Sequence, residues 1–240
     1  MKYAPPEKAK NPRLEGSRFA VHREVAMIYL EETLNLAPAS PEALDNFVGF
    51  AQERLVPAWQ RLGARLVLAW YSDIDWFCQV TQVLEFDDLG AFEAFRAKAS
   101  QDPEWAEYEA RLAEMAVEQG SRLLEPLGPV PPETLHVAIA RSQESPVGAY
   151  SLAVLQVLPG RMSEFISGLE VSAEALPIVA SWRAIVGKQN QVIDLWKGAL
   201  RQSGYQPADE GTRQFFRPLR EIAPRETLRP VFPLPYSPLL

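Results

Sequence analysis

Short runs of β-branched and aromatic residues alternate along this chain with longer segments whose apolar residues recur every three to four positions. The first run, VAMIYLEETLNL at 25–36, is typical of a strand. Ser40 and Pro41 then predict a helix start, because Ser caps helix N-termini and Pro fits the first turn. Apolar residues follow helical spacing over 44–58, and Gly63 marks the end of that helix.

The rest of the first half predicts two strands, a helix interrupted by proline, and a fourth strand. The polar turn SDID between the two strands favours a hairpin. The helix is expected to break at Asp102-Pro103, since a residue before proline disfavours helical geometry. The predicted bounds are 65–71 and 77–86 for the hairpin strands, 89–118 for the helix and 121–127 for the last strand. This order of elements is that of a ferredoxin-like domain.

The second half of the chain repeats that order. Strands are predicted at 150–158, 179–186, 190–197 and within the Pro-rich tail 226–240, and helices at 160–176 and 210–222. Three pairs of segments also match in sequence: YLEETLNLAP with YSLAVLQVLP, QVTQVLE with QVIDLWK, and LLEPL at 123–127 with TLRPV at 227–231. Because internal repeats determine a fold, we predict a duplication. A single larger α+β domain is the alternative.

The predicted domain boundaries follow from this duplication. Residues 1–24 form an N-terminal arm, 25–140 a first ferredoxin-like domain, and 149–240 a second one that ends in the Pro-rich tail. The fold class is therefore α+β, with two tandem βαββαβ domains.

Charge and cysteine content narrow the classes of partner. The net charge of −7 argues against nucleic acid or an anionic membrane, because those surfaces attract clustered Lys and Arg. The single cysteine, Cys78, has no disulfide partner or Cys/His cluster, which argues against a structural zinc site and favours a cytoplasmic setting. An apolar run of bilayer-spanning length and a signal-peptide core are both missing from the sequence. We therefore expect a cytoplasmic protein without a metal.

Several segments give the chain a resemblance to the NIPSNAP-like branch of the dimeric α/β-barrel superfamily. They are YLEETLNLAP, QVTQVLEFDDLGAFEAFR, DPEWAEY at 102–108, GKQNQVIDLW and LRPVFPLPYSP. The sequence departs from the family pattern twice. Leu84-Glu85 stands where a Leu-Trp pair is usual, and the second half lacks a DPEW segment.

The resemblance implies a barrel formed where two ferredoxin-like sheets meet, here within one chain. The superfamily includes cofactor-free monooxygenases, isomerases, cyclases and haem enzymes, whereas NIPSNAP-like members mostly lack an assigned reaction. It thus implies a protein that binds or transforms a small organic molecule without a cofactor. His22 and His136 are the only histidines. Neither has the spaced partner of a metal site, both lie near predicted segment boundaries, and nothing else marks a haem pocket.

Glu31 and Glu32 are the candidate catalytic residues. They lie within an otherwise apolar strand, so alternation sends one carboxyl to each face of the sheet. A carboxyl in an apolar interior has a raised pKa and can transfer protons. The alternative is a strand-end acid paired with an Arg at the surface. The second half carries Leu152 and Ala153 at the matching positions, so the scaffold itself does not require acids there.

Four aromatic residues and one arginine are the candidate substrate-binding residues. Tyr29, Trp70, Tyr71 and Trp182 lie in predicted strands, and aromatic side chains with a polar atom often line small-molecule pockets. Plain core packing is their alternative role. Arg183, flanked by Trp182 and apolar residues, suits a substrate carboxylate or a structural ion pair.

Two functions therefore remain open from the sequence. The first is a cofactor-independent enzyme acting on a small, aromatic or polyketide-like substrate, with Glu31 or Glu32 transferring the proton. The second is a non-enzymatic binding or assembly protein, in which the N-terminal arm and the Pro-rich tail mediate homo-oligomerisation.

Overall fold

The computed structural model describes residues 27–170, 176–198 and 210–240, with the side chains of 210–215 not described. The predicted N-terminal arm, including His22, lies outside these residues, as does the end of the helix predicted at 160–176. None of the helices in the described residues has both the length and the apolar character needed to cross a bilayer.

The described residues form eight strands and seven helices. The strands are β1 Ile28–Leu36, β2 Arg65–Ser72, β3 Gln79–Phe86, β4 Ala116–Pro126, β5 Tyr150–Gln156, β6 Ile178–Val186, β7 Gln191–Lys197 and β8 Arg225–Pro233. The helices are α1 Pro41–Phe50, α2 Val56–Leu62, α3 Leu89–Ala99, α4 Pro103–Met115, α5 Pro132–Glu144, α6 Met162–Glu170 and α7 Glu210–Ile222. A π-helical segment, Ala51–Leu55, joins α1 to α2.

The strands close into one barrel built from two sheets of identical topology. The first half has the order β2-β3-β1-β4 and the second the order β6-β7-β5-β8, with neighbours antiparallel. Each half therefore has the ferredoxin-like strand order, which confirms the predicted α+β fold of two tandem domains. The barrel closes where the last strand of each half pairs with the second strand of the other, β4 with β6 and β8 with β2.

Side-chain caps start the helices where the sequence predicts. The Ser40 Oγ accepts a hydrogen bond from the Ala43 backbone N–H at 3.2 Å, and Pro41 follows it as the first helical residue. Asp102 caps α4 in the same way, just after the predicted break. At the other end of α2, Gly63 adopts a left-handed φ of 97°, which glycine accepts without steric cost.

Alternation along β1 separates the inside of the barrel from the outside. Leu34 and Leu36 join the core between the sheet and helices α1 to α4, together with Phe47 of α1. Tyr29 belongs instead to a second core inside the barrel. Successive side chains of a strand point to opposite faces, so odd-numbered positions of β1 face the interior and even-numbered ones face the helices.

The middle of the barrel interior is filled by apolar side chains from both halves. The rings of Tyr29 and Trp182 meet edge to face, with 5.7 Å between their centroids. Trp70, Leu152 and Leu195 are buried in the same cluster. The barrel is therefore packed at its centre, and only its two ends can hold polar groups facing the lumen.

The helix α5 was not predicted, and the prediction at this segment was wrong. The sequence GPVPP was interpreted only as the end of a strand, but Pro132 is the first residue of a helix, a position that proline favours. His136 consequently lies in the middle of α5 rather than near a segment boundary. The helix also crosses residue 140, the predicted end of the first domain. Similarly, β4 begins at Ala116, where a helix was expected to continue.

The C-terminal residues pack back onto the barrel. The Leu234 N–H donates to the Ala69 carbonyl at 3.0 Å, which extends the pairing of β8 with β2. At the end of the chain, the Leu240 carbonyl accepts a hydrogen bond from the Tyr150 hydroxyl at 3.0 Å. Leu239 belongs to the apolar core inside the barrel. The tail therefore covers the end of the barrel at which α5 lies.

Replacing Trp182 by Ala is expected to lower the free energy of unfolding by about 3–5 kcal/mol, because the ring is 2% exposed and its loss leaves a cavity at the barrel centre. Urea denaturation measures this change. Ile185→Ala, on the same strand but at a 48% exposed residue, is the control and should change stability by less than about 0.5 kcal/mol. Equal losses in the two variants would contradict the assignment of Trp182 to the core.

Candidate functional site

Beyond the apolar centre, the barrel lumen becomes polar at the end away from α5. Asn35 of β1 lies opposite Gln79 of β3, and Thr227 of β8 lies opposite Val154 of β5. A cavity of about 400 Å³ opens there. We call this end of the barrel the polar mouth, defined by Glu31, Thr33, Gln79, Ser121, Arg122, Thr227 and Arg229, all of which line the cavity.

Glu31 is held by a bidentate ion pair inside the polar mouth. It lies directly opposite Arg122 across the β1–β4 pair. The guanidinium Nε and Nη2 donate to the two carboxylate oxygens at 3.0 and 2.8 Å, while Nη1 donates to the Gln191 Oε1 at 2.6 Å. Glu31 is 4% exposed. One guanidinium therefore engages both oxygens of the only buried acid of the mouth, and it also links the two halves of the barrel.

A second arginine, Arg229, reaches the same cavity without an acidic partner. Its Nη1 donates to the Gln79 Oε1 at 2.5 Å, and the Gln79 Nε2 donates in turn to the Asn35 Oδ1 at 2.8 Å. In the described part of the chain no carboxylate lies within 4 Å of Arg229, and its buried Nε has no hydrogen-bond acceptor. Burial and the positive charge of Arg122 lower the pKa of Arg229, and the negative charges of Glu31 and of Asp75, which also lines the cavity, oppose that shift. The guanidinium still carries its positive charge at neutral pH.

The strand register shows that the two arginines occupy equivalent positions in the two halves. Arg122 lies opposite Glu31 on the last strand of the first half, and Arg229 lies opposite Leu152 on the last strand of the second half. Glu31 and Leu152 are the matching positions of the two first strands. The second half therefore has the arginine without the acid.

This register also corrects the third sequence match. LLEPL was aligned with TLRPV, but the sheet aligns RLLEPL at 122–127 with RPVFPL at 229–234. Matching the first Pro of each segment had shifted the alignment by three residues. The two segments share arginine at the first position, proline at the fifth and leucine at the sixth. This shared pattern would have identified Arg122 and Arg229, which the sequence analysis missed.

Glu32 lies on the opposite face of β1, between the sheet and the helices. It is opposite Gln82, whose Oε1 accepts a hydrogen bond from the Tyr236 hydroxyl at 2.8 Å. Burial, together with the negative charge of Glu109, raises the pKa of Glu32 to about 7. The two candidate catalytic acids are thus separated by the sheet, and only Glu31 contacts the polar mouth.

The second half has a comparable buried acid that the sequence analysis did not single out. Asp194 lies on the outer face of β7 and accepts a hydrogen bond from the Ser181 Oγ at 2.5 Å. Burial raises the pKa of Asp194 to about 7, and the hydrogen bond from Ser181 opposes that shift.

The candidate substrate-binding residues are divided between the two faces. Tyr29, Trp70 and Trp182 belong to the packed centre of the barrel, next to the polar mouth but not in its lining. Burial raises the pKa of Tyr29 to about 12, so its phenol stays protonated. Tyr71 packs outside against Phe232, with 5.4 Å between ring centroids.

Arg183 also lies outside the lumen. It faces Glu125 across the β4–β6 pair, and its Nε donates to the Glu125 Oε1 at 2.7 Å. This contact is the structural ion pair that the sequence left as one of two alternatives for Arg183.

Glu32→Gln is expected to stabilise the protein above pH 7 and to change its stability little near pH 4.5. The folded state favours the protonated acid, so the contribution of Glu32 is fully present below its unfolded pKa of 4.5 and is lost as pH rises through about 7. At pH 8 the gain should be about 1–3 kcal/mol. Urea denaturation at both pH values measures it. Glu107→Gln, an exposed change on α4, is the control, and an equal response from it would contradict the burial of Glu32.

A comparison with known protein families finds a match for part of the sequence. The NIPSNAP family model matches residues 38–130, which is less than half of the chain. A solved NIPSNAP-like domain protein from Burkholderia xenovorans is 25% identical and aligns with 45% of this chain and 91% of its own, with a TM-score of 0.40. The chain matches no curated protein.

Other solved structures match almost the whole chain. A candidate monooxygenase from Lactobacillus acidophilus is 12% identical, covers 87% of this chain and 94% of its own, and has a TM-score of 0.54. An anthrone oxidase-like protein is also 12% identical, with 88% and 92% covered and a TM-score of 0.51. At this identity the likeness concerns the fold alone. The chain thus has a match to the NIPSNAP family model at residues 38–130, and over almost its whole length it shares the fold of these solved structures.

Proposed function

We propose that the protein binds the carboxylate group of a small organic acid in the polar mouth, with Arg229 as its anchor. One observation carries the proposal. Of two equivalent arginines in the barrel, Arg122 is neutralised by Glu31, whereas Arg229 faces Leu152 and keeps a buried donor without an acceptor. A ligand carboxylate at Arg229 would take the place that Glu31 has in the first half.

The chemistry of a guanidinium supports this ligand class. Its planar array of donors matches the two oxygens of a carboxylate, and such charge-assisted pairs are stronger than neutral hydrogen bonds. A buried donor without an acceptor costs about 1–3 kcal/mol, which a bound carboxylate would recover. An incoming anion would also offset the charge that burial disfavours on Arg229.

The size and lining of the cavity suggest a compact polar ligand. A space of about 400 Å³ is near the lower end for small-molecule sites. The hydroxyls of Thr33, Ser121 and Thr227 line it, and Val154 supplies an apolar contact. These groups suit a short hydroxy or keto acid. The larger aromatic substrate considered from the sequence would need the space that Trp70 and Trp182 already fill.

Glu31 has a positioning role in this proposal. Because both of its oxygens accept hydrogen bonds from Arg122, it orients that guanidinium and keeps it from competing for the ligand. Proton transfer by Glu31 would first require Arg122 to release one oxygen.

Arg229→Gln is expected to weaken carboxylate binding ten- to a hundredfold, because it removes a charge-assisted pair worth about 1.5–3 kcal/mol. Isothermal titration calorimetry with lactate, pyruvate, malate and 2-oxoglutarate measures the affinities, and lactamide tests the need for the charge. Arg225→Gln, an exposed change on the same strand, is the matched control and should bind as the unchanged protein does. Binding of lactamide as tight as that of lactate, or no binding of any of these acids, would contradict the proposal.

Leu152→Glu provides a second test, because it adds a competing carboxylate instead of removing the arginine. The new carboxylate would lie opposite Arg229, as Glu31 lies opposite Arg122, and should therefore abolish binding of the acids. Leu152→Gln has a similar size without the charge and should retain more of the affinity. Circular dichroism establishes that both variants fold. Unchanged affinity in folded Leu152→Glu would show that the acids bind elsewhere.

A further inference from the structure

Among the described residues, two acids and two arginines line the cavity of the polar mouth. Glu31 and Arg122 neutralise each other through their bidentate ion pair. The other acid is Asp75, from the turn between β2 and β3, and the other cation is Arg229. One charge of each sign is therefore left for a ligand, provided that Asp75 and Arg229 do not pair with each other.

Asp75 and Arg229 are near each other but not in contact. The negative charge of Asp75 opposes the effect of burial on the pKa of Arg229, which places the carboxylate in the neighbourhood of the guanidinium. Even so, no ion pair joins the two groups, and Asp75 has no hydrogen-bond partner in the part of the chain that the structure describes. The two charges thus face one cavity with space between them for a bound molecule.

The turn that carries Asp75 is anchored to both halves of the barrel. The Trp76 Nε1 donates to the Leu36 carbonyl of β1 at 2.9 Å, and the Ser72 Oγ donates to the Pro230 carbonyl of β8 at 3.1 Å. Asp75 itself has a φ of 70°, in the left-handed region that Asp enters at lower cost than most residues. These contacts hold the backbone of Asp75 beside the cavity.

The cleft at the other end of the lumen does not offer both charges. Arg65 and Glu85 line this space of about 850 Å³ and form an ion pair with each other. The His136 Nε2 lies 2.8 Å from the Glu85 Oε2. Within the described lining of the cleft, this leaves Asp87 as the only unpaired charge, without a cation beside it. Two opposite charges without partners are therefore a property of the polar mouth.

We propose that the polar mouth selects an α-amino acid, whose carboxylate binds Arg229 and whose ammonium group binds Asp75. This inference rests on the proposed function and names the class of acid. Both charged groups of an α-amino acid are attached to one carbon, so one small molecule can satisfy both side chains through charge-assisted hydrogen bonds. A hydroxy or keto acid of the same length brings no positive charge to Asp75.

The rest of the lining indicates an amino acid with a short side chain. The cavity of about 400 Å³ has the hydroxyls of Thr33, Ser121 and Thr227 and the apolar side chain of Val154 in its wall. Alanine, serine and threonine match these groups in size and polarity. An aromatic side chain would need the space that Trp70 fills in the packed centre.

Isothermal titration calorimetry with L-alanine, L-serine, lactate and propionate tests the proposal. L-Alanine should bind the unchanged protein about three- to tenfold more tightly than lactate or propionate, because only alanine adds an ion pair with Asp75, and that residue is exposed. Asp75→Asn should remove this preference by weakening alanine alone. Asn also accepts the left-handed conformation, so the turn is retained. Asp87→Asn, the same change at an exposed acid near the other end, is the matched control and should bind as the unchanged protein does.

The amino-acid assignment and the carboxylate anchor can fail separately. Arg229→Gln should weaken alanine and lactate alike, whereas Asp75→Asn should weaken only alanine. Lactate or propionate binding at least as tight as that of alanine, or an equal loss of alanine and lactate in folded Asp75→Asn, would overturn the role of Asp75 and leave Arg229 as the anchor. Loss of neither ligand in Arg229→Gln, or no binding of any of the four compounds, would contradict both.

Discussion

Closure of the barrel across the two halves is the constraint on which the rest of the structure depends. Each sheet alone would expose one apolar face, and pairing of β4 with β6 and of β8 with β2 turns both faces toward a common interior. Burial of apolar surface in that interior is the main driving force. Because the ring of Trp182 from one half packs against Tyr29 from the other, neither half completes this core alone.

The packed centre also explains why the polar side chains of the lumen lie at the two ends of the barrel. Polar side chains cannot be buried in the apolar layer without partners, so those that face the lumen collect where the strands leave it. At one end they form the network of Glu31, Arg122 and Arg229, and at the other the cluster of Glu85 and His136. The tail and α5 cover the second end, which makes it a cleft rather than an open mouth.

Much of the fold follows from local patterns in the sequence. The period of apolar residues, the cap at Ser40, the helix break at Asp102-Pro103 and the repeat of one order of elements predict two ferredoxin-like units. Alternation along β1 also predicts that Glu31 and Glu32 point to opposite faces. These features depend on neighbours in sequence, where propensity and periodicity act directly.

Which residues meet at each site depends on contacts between residues that are distant in sequence. The sequence analysis did not predict these contacts. Arg122 and Gln191 come from different halves, and their meeting with Glu31 follows only from the strand register. Whether a strand aromatic such as Trp70 lines a pocket or fills a core depends on the whole barrel. The sequence analysis found no metal or haem site at His136. Because α5 was not recognised, the contact of His136 with Glu85 could not be foreseen.

Having both halves in one polypeptide has a consequence for stoichiometry and symmetry. In a barrel made from two identical chains, each substitution appears twice, and loss of an acid would leave both arginines unpaired. Here the position of Glu31 could become Leu152 in the second copy while the first copy kept its ion pair. Assembly of the two sheets is also intramolecular, so it does not depend on protein concentration in the way that a two-chain barrel does. The covalent link thus allows one barrel to hold one arginine paired with an acid and an equivalent one without an acid, at any dilution.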